Sequence, residues 1–199
     1  MGAAGYFAPV LGVLAGLAGI ADTIPYVRDT VRGSTRPHRG SWLIWGVLAI
    51  VACVAQLADG ASWSAVMTAT QAIVTGAVFL LAIRYGEGGM STADLCLIAL
   101  AGAGVIGWVL VRDPIVAVGC VIAADLIAVA MMTPKVHRDP YSETLATYAL
   151  ASIGGALATG AVGMLDLSLV AYPAYYCLAN GGLAILIYRR RVALPAKVP

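Results

Sequence analysis

Two acidic residues stand inside long apolar stretches of this chain. Asp125 is the twelfth residue of the apolar segment 114–134, and Asp22 lies about one helical turn before Pro25 in the segment 7–27. At the centre of a lipid bilayer a carboxylate costs about 2.5–3.5 kcal/mol, so such a group must be paired, hydrated or protonated. We therefore predict proton or charge coupling at Asp125 and Asp22, with a structural hydrogen-bonded acid as the alternative for each.

Few other residues are placed to do chemistry. The apolar segments contain no metal-ligand cluster, no paired nucleophile and base, and no phosphate-binding loop, so we expect no enzyme, no metal and no cofactor. The four cysteines all lie within apolar segments, which favours a packing role. The only lysines, Lys135 and Lys197, stand at or beyond segment ends, which excludes a mid-membrane retinal Schiff base.

The composition indicates a membrane protein. The 199 residues are 61% hydrophobic and 11% charged, whereas soluble domains carry about 25% charged residues. This deficit excludes a soluble enzyme, a disordered chain and a nucleic-acid-binding protein, and it leaves the lipid bilayer as the surrounding partner. Because Ala and Gly are abundant and Arg outnumbers Lys, we expect a multi-pass protein of a bacterial cytoplasmic membrane.

Charges, prolines and glycines divide the chain into seven apolar segments, each close to the 20 or so residues that a spanning helix needs. No alternation of period two is visible, which favours helices. The segments are 7–27, 41–58, 62–83, 94–111, 114–134, 144–163 and 167–188. We therefore predict an all-α integral membrane protein with seven transmembrane helices.

Basic residues fall almost entirely on one side of this arrangement. With the N-terminus outside, eleven of the twelve Lys and Arg residues lie in inside segments, and only Arg112 lies outside. This bias predicts an outside N-terminus and an inside C-terminus. The basic stretch 28–39 is expected to set the topology and to meet anionic lipid, and His38 and His137 are interpreted as solvated loop residues.

Similar segment ends indicate an internal repeat. The first and fifth segments each end in a proline, Pro25 or Pro134, followed by Arg-Asp, a second proline and a hydroxyl-bearing helix start. The ends of the third and seventh segments are also alike. We predict two parallel three-helix repeats, 1–93 and 113–191, which are joined by a linker helix in 94–112 and followed by an inside tail at 192–199.

The segment 25–45 resembles the PQ-loop motif, in which Pro-Gln ends a helix and a basic loop leads to a serine and aromatics that open the next helix. Here Tyr26 stands in place of the Gln, and Lys135 does so in the second copy. The arrangement of three, one and three helices also resembles the SWEET sugar transporters. This resemblance implies alternating access around a midplane site between the two repeats.

In SWEET-like transporters, an asparagine on the closing helix of each repeat and aromatics on the middle helix are associated with the substrate. Asn180 matches the asparagine position, and Thr75 is its equivalent in the first repeat. Gln71 and Tyr176 stand one turn earlier on the same two helices. The predicted substrate-binding residues are Asn180, Tyr176, Gln71, Thr75, Trp45 and Tyr148.

Several of these residues have a structural alternative. Hydrogen bonding between helices without a ligand is the alternative for Gln71 and Asn180. Anchoring at the membrane interface is the alternative for Trp45, and it is the favoured interpretation for Trp42 and Trp63.

Three prolines are the predicted hinges of such a motion. Pro25 and Pro134 occupy equivalent positions, and Pro173 interrupts the seventh segment near its middle. Each removes a backbone hydrogen bond and bends its helix. Plain tolerance of proline in transmembrane helices is the alternative.

The function predicted from these features is transport of a small molecule such as a sugar or amino acid, either facilitative or proton-coupled. The alternative is a membrane receptor or adaptor that binds on the same fold without transport. A monomer and a homo-oligomer both remain open.

Overall fold

The computed structural model describes residues 4–58, 63–89, 91–110, 114–162 and 167–194 of the chain. The structure is 89% helical and the described ranges contain no strand, which confirms the predicted all-α class. A short 3-10 turn, Pro140–Ser142, precedes the seventh helix. The helices are α1 (Ala4–Ala21), α2 (Thr23–Val31), α3 (Arg39–Ala58), α4 (Trp63–Tyr85), α5 (Thr92–Leu110), α6 (Pro114–Arg138), α7 (Leu145–Ala161) and α8 (Leu167–Ala193).

Three stretches of the described chain are long and apolar enough to cross a membrane. They are Phe7–Val31, Val118–Arg138 and Leu169–Ala193, and the remaining apolar helices are shorter. Each predicted segment coincides with helix to within a few residues, except that the first is divided between α1 and α2. The helix α8 also extends past the predicted end at 188 to Ala193.

The division of the first segment follows from its proline. Pro25 has no backbone N–H, so it cannot donate the helical hydrogen bond to the carbonyl oxygen of Ala21, where α1 ends. The turn residue Asp22 keeps helical angles, with φ −66° and ψ −30°, so the chain continues in nearly the same direction. Pro134, its predicted equivalent, instead lies inside the continuous helix α6.

The exterior of the bundle is largely apolar, and some charged side chains lie inside it. Large apolar residues lie on the outside: Leu178 is 75% exposed and Ile73 is 73% exposed. Charged residues lie within the bundle, where the side chain of Glu143 has no exposed surface and that of Lys135 is 4% exposed. An apolar exterior around a polar interior fits a bundle surrounded by lipid.

The helices pack mainly in neighbouring pairs. The helix α3 packs on α4, and α7 packs on α8. In addition, α1 packs on α7, and α6 packs on both α8 and α3. The helix α5 packs mainly on α6. At the tightest point between α7 and α8, a β-carbon added at Gly155 would lie 2.7 Å from the backbone nitrogen of Cys177, so this crossing requires glycine.

Candidate functional site

A cavity of about 530 Å³ lies between the helices, and we call it the central cavity. Its walls come from the α1–α2 junction and from α3, α4, α6, α7 and α8. Along α3 it extends from Trp42 to Ala52, which is about 15 Å at 1.5 Å per residue. Its lining residues are Asp22, Thr23, Trp42, Trp45, Leu48, Ala49, Ala52, Gln71, Val74, Thr75, Val118, Val121, Asp125, Val129, Thr147, Tyr148, Ala151, Tyr172, Tyr176 and Asn180.

The structure brings eight predicted site residues to this one cavity. These are the six predicted substrate-binding residues together with the two predicted coupling acids. Thr75 on α4 faces the same space as Asn180 on α8, and the preceding turns contribute Gln71 and Tyr176. The roles of these residues stay predictions, but their convergence makes the central cavity the candidate site.

The three predicted hinge prolines lie away from the described lining. Pro25 is in the first turn of α2, and Pro173 follows the lining residue Tyr172 within α8. Pro134 borders a second cavity of about 560 Å³ near the connections 32–38 and 139–144, where charged residues predominate. None of the three prolines is among the described lining residues of the central cavity. A hinge role would therefore act through bending of their helices and not through contact with a solute.

The two amides in the cavity keep acceptor atoms free. The Nδ2 atom of Asn180 donates a hydrogen bond of 2.9 Å to the carbonyl oxygen of Tyr176. The Nε2 atom of Gln71 donates to Oγ1 of Thr75 at 3.3 Å. Among the described residues, no donor occupies the side-chain oxygen of either amide. Both oxygens can therefore accept a hydrogen bond from a ligand.

Among the residues that the structure describes, neither acid in the cavity has a basic partner. Asp22 is 7% exposed and accepts a hydrogen bond of 2.9 Å from the hydroxyl of Thr23. Asp125 is 5% exposed and accepts one of 2.6 Å from the hydroxyl of Tyr175. No Lys, Arg or His in the described ranges forms an ion pair with either carboxyl group. Each acid thus meets a hydroxyl group and the cavity.

Aromatic rings from α3 and α8 form two parts of the wall. The indole rings of Trp42 and Trp45 meet edge to face, with their centroids 5.1 Å apart. On α8 the rings of Tyr172 and Tyr176 lie 6.1 Å apart at an angle of 36°. Such faces can stack on a ligand or hold a cation.

A buried carboxylate closes one end of the central cavity. The hydroxyl groups of Tyr26 and Tyr148 each donate a 2.8 Å hydrogen bond to Oε2 of Glu143. The ammonium group of Lys135 pairs with Oε1 of the same carboxylate. The indole nitrogen of Trp42 donates to the Tyr26 hydroxyl at 2.9 Å. We call these five residues the Glu143 network.

Apolar packing surrounds this network. Met132 and Val136 of α6 and Leu183 and Ile187 of α8 are all at most 5% exposed and form one core cluster with the aromatic rings of the network. Since Trp42 and Tyr148 also line the central cavity, the network is the floor of that cavity. Among the described residues, this buried network therefore lies between the cavity and the connections 32–38 and 139–144.

These two connections also bind each other. The backbone nitrogen of Arg36 donates to the carbonyl oxygen of Ser142 at 2.9 Å, and its guanidinium pairs with Asp139. The hydroxyl groups of Thr35 and Thr144 lie 2.6 Å apart. Part of the basic stretch thus holds the closed end together, in addition to its predicted role in topology.

Sequence reasoning missed this closed end. Glu143 stands between a charged loop and an apolar segment, where an acid normally faces water. A signal was present, however, because the two positions that depart from Pro-Gln, Tyr26 and Lys135, both carry side chains able to bind one carboxylate.

The favoured interpretation of Trp42 as an interfacial anchor is wrong, since Trp42 is 8% exposed and part of the network. Trp63 begins α4, but its side chain lies outside the described side chains.

The interpretation of His38 as a solvated residue is also wrong. His38 is 5% exposed, and its Nδ1 atom lies 3.0 Å from the hydroxyl of Ser41. Burial lowers the pKa of His38 below 6.5, because the charged form is poorly solvated there. The ring packs against Gly88, where an added β-carbon would lie 2.5 Å from its Nε2 atom. His137, by contrast, is exposed at the end of α6.

The comparisons with known proteins identify no relative. The chain matches no protein-family model, no curated protein and no solved structure. Its function must therefore be argued from the central cavity and the elements that surround it.

Proposed function

We propose that this protein is a small-solute membrane transporter that works by alternating access, either facilitative or proton-coupled. The observation that carries the proposal is a central cavity lined by paired positions of two helices and closed at one end by a buried network. A transporter needs a site that is sealed from one side of the membrane and reachable from the other. The buried network would seal the central cavity on one side. Transport would then require exchange with a second state that is sealed on the other side.

The contacts between helices support the predicted arrangement of three, one and three. A twofold axis that exchanges α1 with α6, α3 with α7 and α4 with α8 converts the α3–α4 contact into the α7–α8 contact. It also converts the α1–α7 contact into the α6–α3 contact. The helix α5 has no counterpart, as expected of a linker. The basic residues favour an outside N-terminus and an inside C-terminus for this arrangement.

Two hydroxyl groups support the same relation between the halves. Ser41, near the start of α3, donates to the carbonyl oxygen of Ala128 in α6 at 2.6 Å. Thr147, near the start of α7, donates to the carbonyl oxygen of Asp22 at the α1–α2 junction at 2.7 Å. Each half thus binds the backbone of the other on the N-terminal side of the predicted hinge, Pro134 or Pro25. The similarity to PQ-loop and SWEET-like transporters remains part of this proposal.

Cysteine accessibility tests alternating access without knowledge of the substrate. The four native cysteines are replaced by alanine, and Thr75→Cys is introduced because Thr75 lines the cavity and cysteine has nearly its size. In right-side-out and inside-out vesicles, we expect a small membrane-impermeant thiol reagent to label this cysteine from both faces. Labelling from one face only would contradict transport and favour the receptor alternative.

The matched control is Ile73→Cys in the same cysteine-free chain. Ile73 lies two residues from Thr75 on α4 but is 73% exposed on the apolar exterior. In a bilayer this position faces lipid, so the reagent should not label it from either side. Labelling of Ile73→Cys would show that the reagent enters the membrane and would invalidate the assay.

A further inference from the structure

We propose that the central cavity binds a small organic cation carrying an ammonium group. This inference rests on the proposed function, because it names the substrate class of the same site. It depends on three properties of the described lining: its charge, its aromatic rings and its size.

The charged side chains of the described lining are all acidic. Asp22 and Asp125 both face the cavity, and no Lys, Arg or His is among its described lining residues. The nearest buried cation, Lys135, lies in the Glu143 network and is already paired with that carboxylate. A buried carboxylate must be paired, hydrated or protonated, and a ligand of opposite charge would pair it. A cationic ligand would give the two acids the partner of opposite charge that they lack among the described residues.

The aromatic rings favour the same kind of ligand. Tyr172 and Tyr176 form a pair of rings on α8. Tyr176, Asp22 and Asp125 line the same cavity. Aromatic faces attract cations, and clusters of such rings are a common way to bind ammonium groups. An ammonium group beside Tyr176 would therefore meet π-faces and negative charge together.

The size of the cavity distinguishes an organic cation from a metal ion. About 530 Å³ lies within the range of small-molecule pockets and far exceeds the space of a bare ion. The described residues contain no group of three or more His, Cys, Asp and Glu side chains that could hold a metal. The free amide oxygens of Asn180 and Gln71 add acceptors for N–H or O–H groups of the same ligand.

Paired probes test the charge requirement directly. The purified full chain in detergent is titrated with choline and with n-butylammonium, and binding is followed by calorimetry and by quenching of tryptophan fluorescence. The neutral partners are 3,3-dimethylbutan-1-ol and n-butanol, which have nearly the same shape. We expect at least one cation to bind saturably and at least tenfold more tightly than its neutral partner. Equal binding of both pairs, or binding of the neutral partners alone, would overturn the proposal, as would the absence of binding by all four.

The variant Asp125→Asn locates the binding. Asparagine keeps an oxygen that accepts the hydrogen bond of Tyr175, so the melting temperature should remain close to that of the wild type. Cation affinity should fall at least tenfold. The matched control is Asp94→Asn, which removes a carboxylate that lies outside the described cavity lining and binds Ser91. An equal loss in both variants would overturn the assignment to the cavity.

Labelled choline and n-butylammonium in proteoliposomes then separate the two proposals. Binding with no uptake of the bound cation would contradict transport and leave the ligand class intact. Uptake of a neutral sugar or amino acid by a protein that binds neither cation would contradict the ligand class and leave transport intact.

Discussion

Lys135→Met should lower the free energy of unfolding by about 3–5 kcal/mol, the usual cost of removing one partner from a buried ion pair. The side chain of Lys135 is 4% exposed, and that of Glu143 is fully buried. The carboxylate of Glu143 therefore cannot be hydrated by solvent when its partner is lost. Methionine fills a similar length, so little of the effect comes from a lost contact area. The measurement is thermal and denaturant unfolding of the purified protein in detergent.

The double variant Lys135→Met/Glu143→Gln separates charge from packing. It removes both charges and leaves Tyr26 and Tyr148 with a neutral oxygen to which they can donate. We expect it to regain most of the stability lost in the single variant. The matched control is Arg138→Met on the same helix, because Arg138 is exposed there. If Lys135→Met is as stable as Arg138→Met, the buried pair does not contribute as described.

The same pair of variants reports on the closed end of the cavity. If the Glu143 network is the floor, weakening it should favour the state that opens towards the connections 32–38 and 139–144. In the Thr75→Cys background, labelling from that side of the membrane should therefore become faster in Lys135→Met/Glu143→Gln. Unchanged labelling would mean that apolar packing alone keeps the floor closed.

Gly155→Ala should cost about 1–3 kcal/mol, the usual range for overpacking. The added β-carbon would lie 2.7 Å from the backbone nitrogen of Cys177 and 2.8 Å from its α-carbon. Backbone atoms cannot rotate away, so α7 and α8 must separate. Unfolding in detergent measures the effect.

Two further variants sharpen this test. Gly182→Ala on α8 is the matched control, because nothing lies within 4 Å of its added β-carbon. It should be neutral or slightly stabilising, since alanine favours a helix over glycine. Cys177→Ala should not rescue Gly155→Ala, because the closest atoms belong to the backbone of Cys177 rather than to its sulfur. A full rescue would contradict the described crossing.

Much of the architecture could be predicted because apolar runs and their interruptions are local signals. The segment 114–134 corresponds to α6, and 62–83 corresponds to α4, with shifts of a few residues. The predicted internal repeat gives more than hydropathy does, because it pairs Thr75 with Asn180 from the sequence alone. Both members of that pair lie in one cavity wall.

The floor of the cavity could not be predicted, because it depends on contacts between distant parts of the chain. Tyr26 and Glu143 are 117 positions apart. In isolation, Glu143 has the sequence context of an exposed acid and Trp42 that of an interfacial anchor. Only the packing of α3 on α6 and of α1 on α7 turns both side chains inward. The division at Asp22 was missed for a different reason, since the effect of a proline on helix continuity differs between Pro25 and Pro134.

The Glu143 network also bears on the proposed repeat, because its residues come from both halves of the chain. A single carboxylate accepts from Tyr26 of the first half and from Lys135 of the second. A dimer built from two copies of the first half would have two such tyrosines and no acid between them. A dimer of the second half would bring two acids and two ammonium groups to the same confined place. Under the proposed repeat, the two halves are therefore complementary at this site, and neither can take the place of the other.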